Sequence, residues 1–166
     1  MDNKLVRTYS EDEKLDFLHS LLNWDIKIKK LNPEAKIPEY KKDGDAGFDI
    51  SSIEDCVIPP DKTMLIHTGL AFAIPKGLEL QIRLRSGVGL KNTIIIPNSP
   101  GTIDSGYRGE VGLIIRNIGI ESVKISKGDR IAQGIISPVV HASFQEVDDL
   151  PESDRGSGGY GSTGIN

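Results

Sequence analysis

The stretch Leu78–Arg85 alternates between apolar and polar side chains without a break. A period of two residues predicts a β-strand with one face in the core and the other in water. The apolar positions are Leu78, Leu80, Ile82 and Leu84, and the polar positions are Glu79, Gln81, Arg83 and Arg85. Such a strand is typical of antiparallel sheets, because their two faces can meet different environments.

Similar short runs continue along the chain and are separated by turn-forming residues, as in Pro59-Pro60-Asp61 and Lys127-Gly128-Asp129. Between these runs we find no second helical pattern, so parallel βαβ units are not expected. The sequence therefore predicts an all-β fold, a jelly roll or distorted, partly closed β-barrel. The further predicted strands are 26–31, 55–59, 63–74, 92–97, 110–118, 122–126, 131–140 and 142–147.

The two ends of the chain differ from this β-rich middle. Ser10 and Glu13 form a capping-box pattern, and an apolar stripe follows, which predicts a short N-terminal helix over residues 11–23. The last residues are acidic and then rich in glycine, which is typical of a flexible tail. We expect three parts: an N-terminal helical extension (1–24), a β-barrel domain (25–147) and a C-terminal lid segment (148–166).

Composition excludes several classes of function. The net charge is -4 with mixed signs, which does not favour nucleic-acid binding. No apolar stretch is long enough to span a membrane. The only cysteine, Cys56, cannot form an intrachain disulfide, so an intracellular, reducing location such as the cytoplasm is expected. The three histidines lie far apart and show no zinc-binding spacing.

Four segments interrupt the strand pattern with residues that packing does not require. "DAGFDISS" (45–52) carries two carboxylates, which could position a cation or cap turns. "RSGVGLKN" (85–92) offers a guanidinium, a hydroxyl and loop N–H groups, which suit phosphate oxygens, although it is not a Walker A loop.

The other two segments raise similar questions. "NSPGTIDSGYRGEVG" (98–112) places Asp104 and Tyr107 in one glycine-rich loop, where the carboxylate could accept a proton from water or the two residues could serve a turn. "KGDRIAQGI" (127–135) begins with a turn. There we expect Ile131 to point inward, Gln133 to share its face, and Arg130 to be an ion-pair partner.

Taken in order, "DAGFDISS", "RSGVGLKN", "PGTIDSGYRGE", "GDRIAQ" and the C-terminal "RGSGGYGSTG" resemble the five motifs of the trimeric dUTPase (dUTP pyrophosphatase) family. The resemblance covers about residues 26–164. It implies a β-jelly roll that assembles as a homotrimer with shared active sites. It also implies Mg²⁺-assisted hydrolysis of dUTP to dUMP and pyrophosphate, which keeps dUTP low and supplies dUMP for dTTP synthesis.

The resemblance implies roles for single residues. Asp104 would be the general base that activates water to attack the α-phosphorus, and Gln133 would lie near that water. Asp49 would position Mg²⁺ through a water molecule. Tyr107 would form the floor under the deoxyribose. The uracil edge would be read by Asn98, Gly101, Thr102, Ile103 and Gly112.

The remaining implied roles concern the phosphate chain and the lid. Arg85, Ser86 and Gly87 would hold the phosphates. The C-terminal tail would close over a site on another subunit, with Arg155 on the phosphates and Tyr160 stacked on uracil. Gly161, Ser162 and Thr163 would donate hydrogen bonds to the terminal phosphate.

Three departures from the family and two alternatives remain. Phe48 and Tyr160 stand where the family usually has Tyr and Phe, and residues 1–24 do not map onto its core. One alternative is a dCTP deaminase or bifunctional deaminase-pyrophosphatase of the same superfold. The other is a non-catalytic dUTP-sensing module.

Overall fold

Residues 10–12 and 24–159 are described by the computed structural model of the chain. Within these ranges the chain forms β-strands and one helix that is described over its whole length, α1 (Ser86–Lys91). The strands are β1 (Lys27–Lys30), β2 (Phe48–Ser51), β3 (Cys56–Ile58), β4 (Thr63–Ile66), β5 (Leu70–Ala73), β6 (Leu78–Leu84), β7 (Ile94–Ile95), β8 (Gly101–Ile103), β9 (Leu113–Asn117), β10 (Val123–Ile125) and β11 (Arg130–Pro138).

Every strand pairing in this part of the chain is antiparallel. The largest sheet has four strands in the order β2-β11-β6-β8, and a second has three in the order β4-β9-β7. Two further pairs, β1 with β5 and β3 with β10, complete the fold. The all-β, jelly-roll prediction is confirmed.

The core follows the alternation of the sequence. In β6, Leu78, Leu80 and Ile82 are buried, while in β9 the buried positions are Leu113, Ile115 and Asn117. The amide of Asn117 donates to the carbonyl oxygens of Ile58 (2.9 Å) and Glu121 (2.7 Å). Because these bonds satisfy the amide donors, a polar residue can sit among apolar ones at this position.

A β-bulge in β11 changes the predicted face of Gln133. The register slips between Arg130 and Ala132, so the consecutive residues Ile131 and Ala132 are both buried. Gln133 then lies opposite Asp49 on one side and Arg83 on the other. Directly opposed residues share a face. The expectation that Gln133 shares the face of Ile131 is therefore wrong, because an inserted residue inverts the alternation.

Several predicted element bounds need correction. The predicted strand 63–74 is two strands, β4 and β5, separated by a corner at residues 67–69. Two strands within the motifs, β2 and β8, and the helix α1 were missed. Residues 142–147 form no strand within this chain. Their alternating pattern finds no neighbouring strand to bond with, and Phe144 is 95% exposed.

Little of the N-terminal prediction can be compared with the structure. Residues 11 and 12 are helical, and the rest of the predicted helix lies outside the described residues. Among those that are described, no helix is long and apolar enough to cross a membrane. The domain boundaries after residues 24 and 147 stay predictions.

Candidate active site

The predicted site residues collect in two separate cavities. We name them the Asp104 cavity and the Arg85 cavity after one residue in each. The Asp104 cavity has a volume of about 490 Å³. It is lined by Leu65, His67, Ile82, Ile96, Asn98, Gly101, Thr102, Ile103, Asp104, Tyr107, Glu110, Gly112 and Ile114. The structure therefore brings together the general-base candidate, the sugar-floor candidate and all of the predicted uracil-reading residues.

Local hydrogen bonds shape the loop that presents Asp104 and Tyr107. The N–H of Tyr107 donates to the carbonyl oxygen of Asp104 (3.0 Å), which closes a turn. The hydroxyl of Tyr107 donates to the carbonyl oxygen of Glu110 (2.9 Å). Arg108 closes the same loop with a bond from Nη1 to the carbonyl oxygen of Ser105 (2.8 Å). Tyr107 is 44% exposed, so its ring is available to a ligand in the cavity.

Gly112 lies on the wall of the Asp104 cavity, and no larger residue fits there without movement. A Cβ atom at this position would lie 2.5 Å from Cδ1 of Leu65, well inside van der Waals contact. Leu65 itself lines the cavity. Glycine thus lets the backbone approach the side chain of Leu65 closely.

His67 and Glu110 also line the Asp104 cavity, and the sequence analysis assigned a role to neither. Oε2 of Glu110 lies 3.0 Å from Nδ1 of His67. Its Oε1 accepts hydrogen bonds from the N–H groups of Thr68 (3.1 Å) and Gly69 (2.7 Å). No sequence signal links residues 67 and 110, because only the folded chain brings the β4–β5 corner to this loop.

The pKa values of the pair move in opposite directions. The hydrogen bond and charge of Glu110 raise the pKa of His67 above its ordinary value. Burial by itself raises the pKa of Glu110, but the N–H of Gly69, the His67 ring and the N–H of Thr68 outweigh it, so that its pKa is lowered. Both shifts favour the charged pair of imidazolium and carboxylate.

The Arg85 cavity has a volume of about 440 Å³ and is strongly polar in character. It contains the predicted phosphate-binding and metal-positioning residues and Gln133. Its lining is Lys41, Asp45, Ala46, Gly47, Asp49, Arg85, Ser86, Gly87, Arg130 and Gln133. A cavity with two guanidinium groups and a lysine is suited to phosphate oxygens.

Asp49 organises the cationic groups of this cavity. Its Oδ1 lies 2.7 Å from Nε of Arg85, and its Oδ2 lies 2.8 Å from Nη1 of Arg130. The expectation that Arg130 is an ion-pair partner is confirmed. Arg85 also donates from Nη1 to the carbonyl oxygen of Arg130 (3.0 Å). These contacts hold the guanidinium of Arg85 in one orientation before any phosphate binds.

The two carboxylates of the first motif act differently. Oδ2 of Asp45 accepts a hydrogen bond from the N–H of Lys42 (2.9 Å), which is the turn-capping alternative. Among the described residues no group of three or more His, Cys, Asp or Glu side chains could hold a metal ion. Both oxygens of Asp49 are paired with guanidinium groups, so Asp49 could position Mg²⁺ only through a water molecule, and this ion commonly keeps several of its waters.

Within one chain the two cavities are far apart. Ile103, next to Asp104, stands opposite Leu80 in the β6–β8 ladder. Arg85 follows the far end of β6, five residues from Leu80 along the strand, which is roughly 17 Å. Because β8 runs antiparallel to β6, Asp104 continues away from Arg85. A single chain does not bring the general-base candidate and the phosphate-binding candidate to one reaction centre.

The lid residues are described only at their beginning. Arg155 lines neither cavity, and its Nε donates to the carbonyl oxygen of Gly158 (2.8 Å). Tyr160, Gly161, Ser162 and Thr163 lie outside the described residues.

The fold and the two cavities together define a class. One cavity of the jelly roll holds a carboxylate and an aromatic ring, and the other holds two guanidinium groups, which are groups that nucleotide-binding hydrolases use. A family model described as dUTPase matches residues 33–164. The chain belongs to the dUTPase family, and as a member of it is a dUTP diphosphatase.

Individual relatives agree with this assignment. A deoxyuridine 5'-triphosphate nucleotidohydrolase of Alkaliphilus metalliredigens is 52% identical over 142 residues, covering 86% of this chain and 99% of the relative. One from Nautilia profundicola is 53% identical over 139 residues, covering 84% of this chain and 98% of the relative.

Solved structures of dUTPases resemble the fold. That of Staphylococcus bacteriophage 80alpha with dUpNHpp has a TM-score of 0.80 at 31% identity, covering 85% of this chain and 99% of the other. A dUTPase from phage phi11 of S. aureus, described with a structural Mg(II) ion, has a TM-score of 0.73 at 28% identity. It covers 77% of this chain and 99% of the other.

Proposed function

We propose that the chain converts dUTP and water to dUMP and pyrophosphate, with Asp104 as the general base. The observation that carries the proposal is the meeting of Asp104 with Asn98, Tyr107 and Gly112 in one cavity. A uracil held beside Gly112 would place its deoxyribose over Tyr107. The α-phosphate would then lie beside Asp104.

The chemical step follows from this placement. Asp104 takes a proton from a water molecule as the water oxygen bonds to the α-phosphorus. The bond from the α-phosphorus to the bridging oxygen breaks, and pyrophosphate leaves with the electron pair. Phosphate transfer of this kind depends on position and charge neutralisation rather than on covalent catalysis. Gln133 is assigned to the α-phosphate and the attacking water.

The phosphate chain is assigned to Arg85, Ser86 and Gly87, and Arg155 joins them from the lid. Mg²⁺, when bound, neutralises charge on the phosphate oxygens. Asp49 would hold it through a water while keeping Arg85 in place. Tyr160 is assigned to the uracil ring, and Gly161, Ser162 and Thr163 to the terminal phosphate.

A homotrimer with shared sites is the assembly that we propose. Roughly 17 Å of strand separates Leu80 from Arg85 within one chain. A second copy is therefore required to supply the residues that bind the substrate phosphates beside Asp104. The segment after β11 leaves Val140, Phe144 and Leu150 almost fully exposed. Apolar residues in such numbers on one segment indicate a surface that another chain covers.

We place the activity in the cytoplasm, where deoxynucleotides are made, since Cys56 is the only cysteine and is free.

The test of this function is pyrophosphate release by the purified protein with Mg²⁺. Rates with dUTP are compared with those for UTP, dTTP and dCTP. Release from dUTP alone is expected, since the proposed pose places the deoxyribose against Tyr107 and the uracil beside Gly112, where a 2′-hydroxyl or a 5-methyl group would need additional space. Tight binding of dUTP without release would instead support a sensing module, and ammonia from dCTP would support a deaminase.

A further inference from the structure

We propose that His67 is a positioning residue for the hydrolysis, acting through Glu110 on the loop that carries Asp104 and Tyr107. The inference rests on the proposed function and goes beyond the residues that the family motifs contain. His67 lies in the corner between β4 and β5, outside every motif, yet it lines the same cavity as Asp104.

Glu110 connects two segments that are distant in sequence. Its carboxylate is held by the His67 ring and by the N–H groups of Thr68 and Gly69. Its carbonyl oxygen accepts the hydroxyl of Tyr107. Glu110 therefore ties the loop to the β4–β5 corner through its side chain, and Tyr107 is hydrogen-bonded to the backbone of the same residue.

Neighbouring bonds hold the loop at both of its ends. The buried hydroxyl of Thr68 donates to the carbonyl oxygen of Val111 (2.6 Å), and the N–H of Val111 donates to that of Leu70 (2.8 Å). These bonds fix the C-terminal end of the loop. At the other end, Asp104 directly follows β8, whose Ile103 pairs with Leu80 of β6. Between these two fixed ends the Glu110 carboxylate ties the loop to the β4–β5 corner, on the side of the loop to which the Tyr107 hydroxyl is bonded.

His67 is the part of this connection that can change its charge near neutral pH. The groups that face it are the carboxylate of Glu110 and that of Glu54, whose Oε1 accepts the N–H of His67 (2.9 Å). Glu110 raises the pKa of the imidazole, and Glu54 acts in the same direction. At lower pH an imidazolium pairs with Glu110, and as pH rises through the raised pKa only a neutral hydrogen bond remains.

The sign of the effect follows. The ion pair between His67 and Glu110 is fully formed at pH values between the lowered pKa of Glu110 and the ordinary pKa of histidine. It weakens as pH rises through the raised pKa of His67. Since the side chain of His67 is 47% exposed, solvent screens the pair. We expect kcat to fall roughly two- to fivefold across this transition.

The experiment is a pH profile of kcat and KM for dUTP between about pH 5.5 and 9. The variants are His67→Gln, which can still donate to Glu110 but cannot titrate, and Glu110→Gln, which removes the charge. His141→Gln is the matched control, since His141 follows β11 and lines neither cavity. Circular dichroism is used to check that each variant is folded.

The outcomes separate the two proposals. We expect kcat to fall as the pH rises in the wild type and in His141→Gln. In His67→Gln and Glu110→Gln this fall should be absent, and kcat should equal the high-pH plateau of the wild type. A fall that persists in His67→Gln, or a wild type without one, overturns the role of His67 while leaving the hydrolase intact. No release of pyrophosphate by the wild type overturns the proposed function and this inference with it.

Discussion

Asp49 and Arg85 form an ion pair with 2.7 Å between Oδ1 and Nε, joining strand β2 to the start of helix α1. The side chain of Asp49 is only 14% exposed, and Arg130 occupies its second oxygen. A carboxylate held by both of its oxygens between two guanidinium groups is fixed in place. One residue therefore orients both arginines of the Arg85 cavity.

Replacing Asp49 tests its double role. In Asp49→Asn the charge is lost, so Arg85 loses its partner and any metal-bound water loses an acceptor. We expect roughly a tenfold or larger rise in the Mg²⁺ concentration for half-maximal rate. The measurement is a Mg²⁺ titration of pyrophosphate release, with Asp43→Asn, an exposed neighbour, as control. An unchanged titration would show that Asp49 serves the fold alone.

Removal of the general base tests the chemistry. Asp104→Asn keeps the size of the side chain but accepts no proton from water, so we expect kcat to fall by about 10²- to 10⁴-fold. KM for dUTP should change little. Asp61→Asn is the matched control, because Asp61 lies in an exposed turn beyond both cavities. A variant that retains most of the wild-type kcat would remove Asp104 from the mechanism.

Shared sites predict complementation between two inactive variants. Asp104→Asn and Arg85→Ala are each expected to be nearly inactive alone. Co-refolded mixed assemblies should regain activity, since some sites then combine an intact Asp104 from one copy with an intact Arg85 from another. A chain carrying both substitutions, mixed with Asp104→Asn, serves as control. If each site lay within one chain, mixing would restore nothing.

The close approach of Gly112 to Leu65 predicts coupling between the two residues. In Gly112→Ala the new methyl group would lie 2.5 Å from Cδ1 of Leu65, so this half-exposed side chain has to turn aside, at a cost of roughly 0.5–1.5 kcal/mol in stability, dUTP affinity or both. Leu65→Ala in the same chain should recover part of the loss, as a double-mutant cycle measures. Gly106→Ala should be mild, because nothing lies within 4 Å of its Cβ position. Additive effects would mean that the two residues do not share the wall.

Cys56 should react slowly with alkylating agents. Burial, together with the carboxylates of Glu54 and Asp55, raises the pKa of its thiol, so less thiolate is present at neutral pH. Iodoacetamide labelling at pH 7.5, followed by mass spectrometry, should be slower than labelling of glutathione and should accelerate as pH rises. Asp55→Asn should label faster than the wild type. Equal rates for Cys56 and glutathione would contradict this environment.

Much of the fold could be predicted from short stretches of the sequence. The alternation of Leu78–Arg85 predicted β6 and its buried face: Leu78, Leu80 and Ile82 are buried, and Leu84 at the end of the strand is partly buried. The short strands β2 and β8 were missed because their residues were interpreted as motif loops. The segment 142–147 was interpreted as a strand because alternation reports a half-buried surface and does not say which chain provides the neighbour.

The sequence by itself determined the all-β class and the family and supplied the candidate site residues, because these depend on patterns between near neighbours. Only the tertiary structure decided which of them meet. Asp49 reaches Arg130 across 81 residues and Glu110 reaches His67 across 43. It also decided that Gln133 turns to the polar face and that Asp104 and Arg85 lie at opposite ends of β6. Such relations arise from strand register and one bulge, which are set by pairing between distant segments and leave no local signal in the chain.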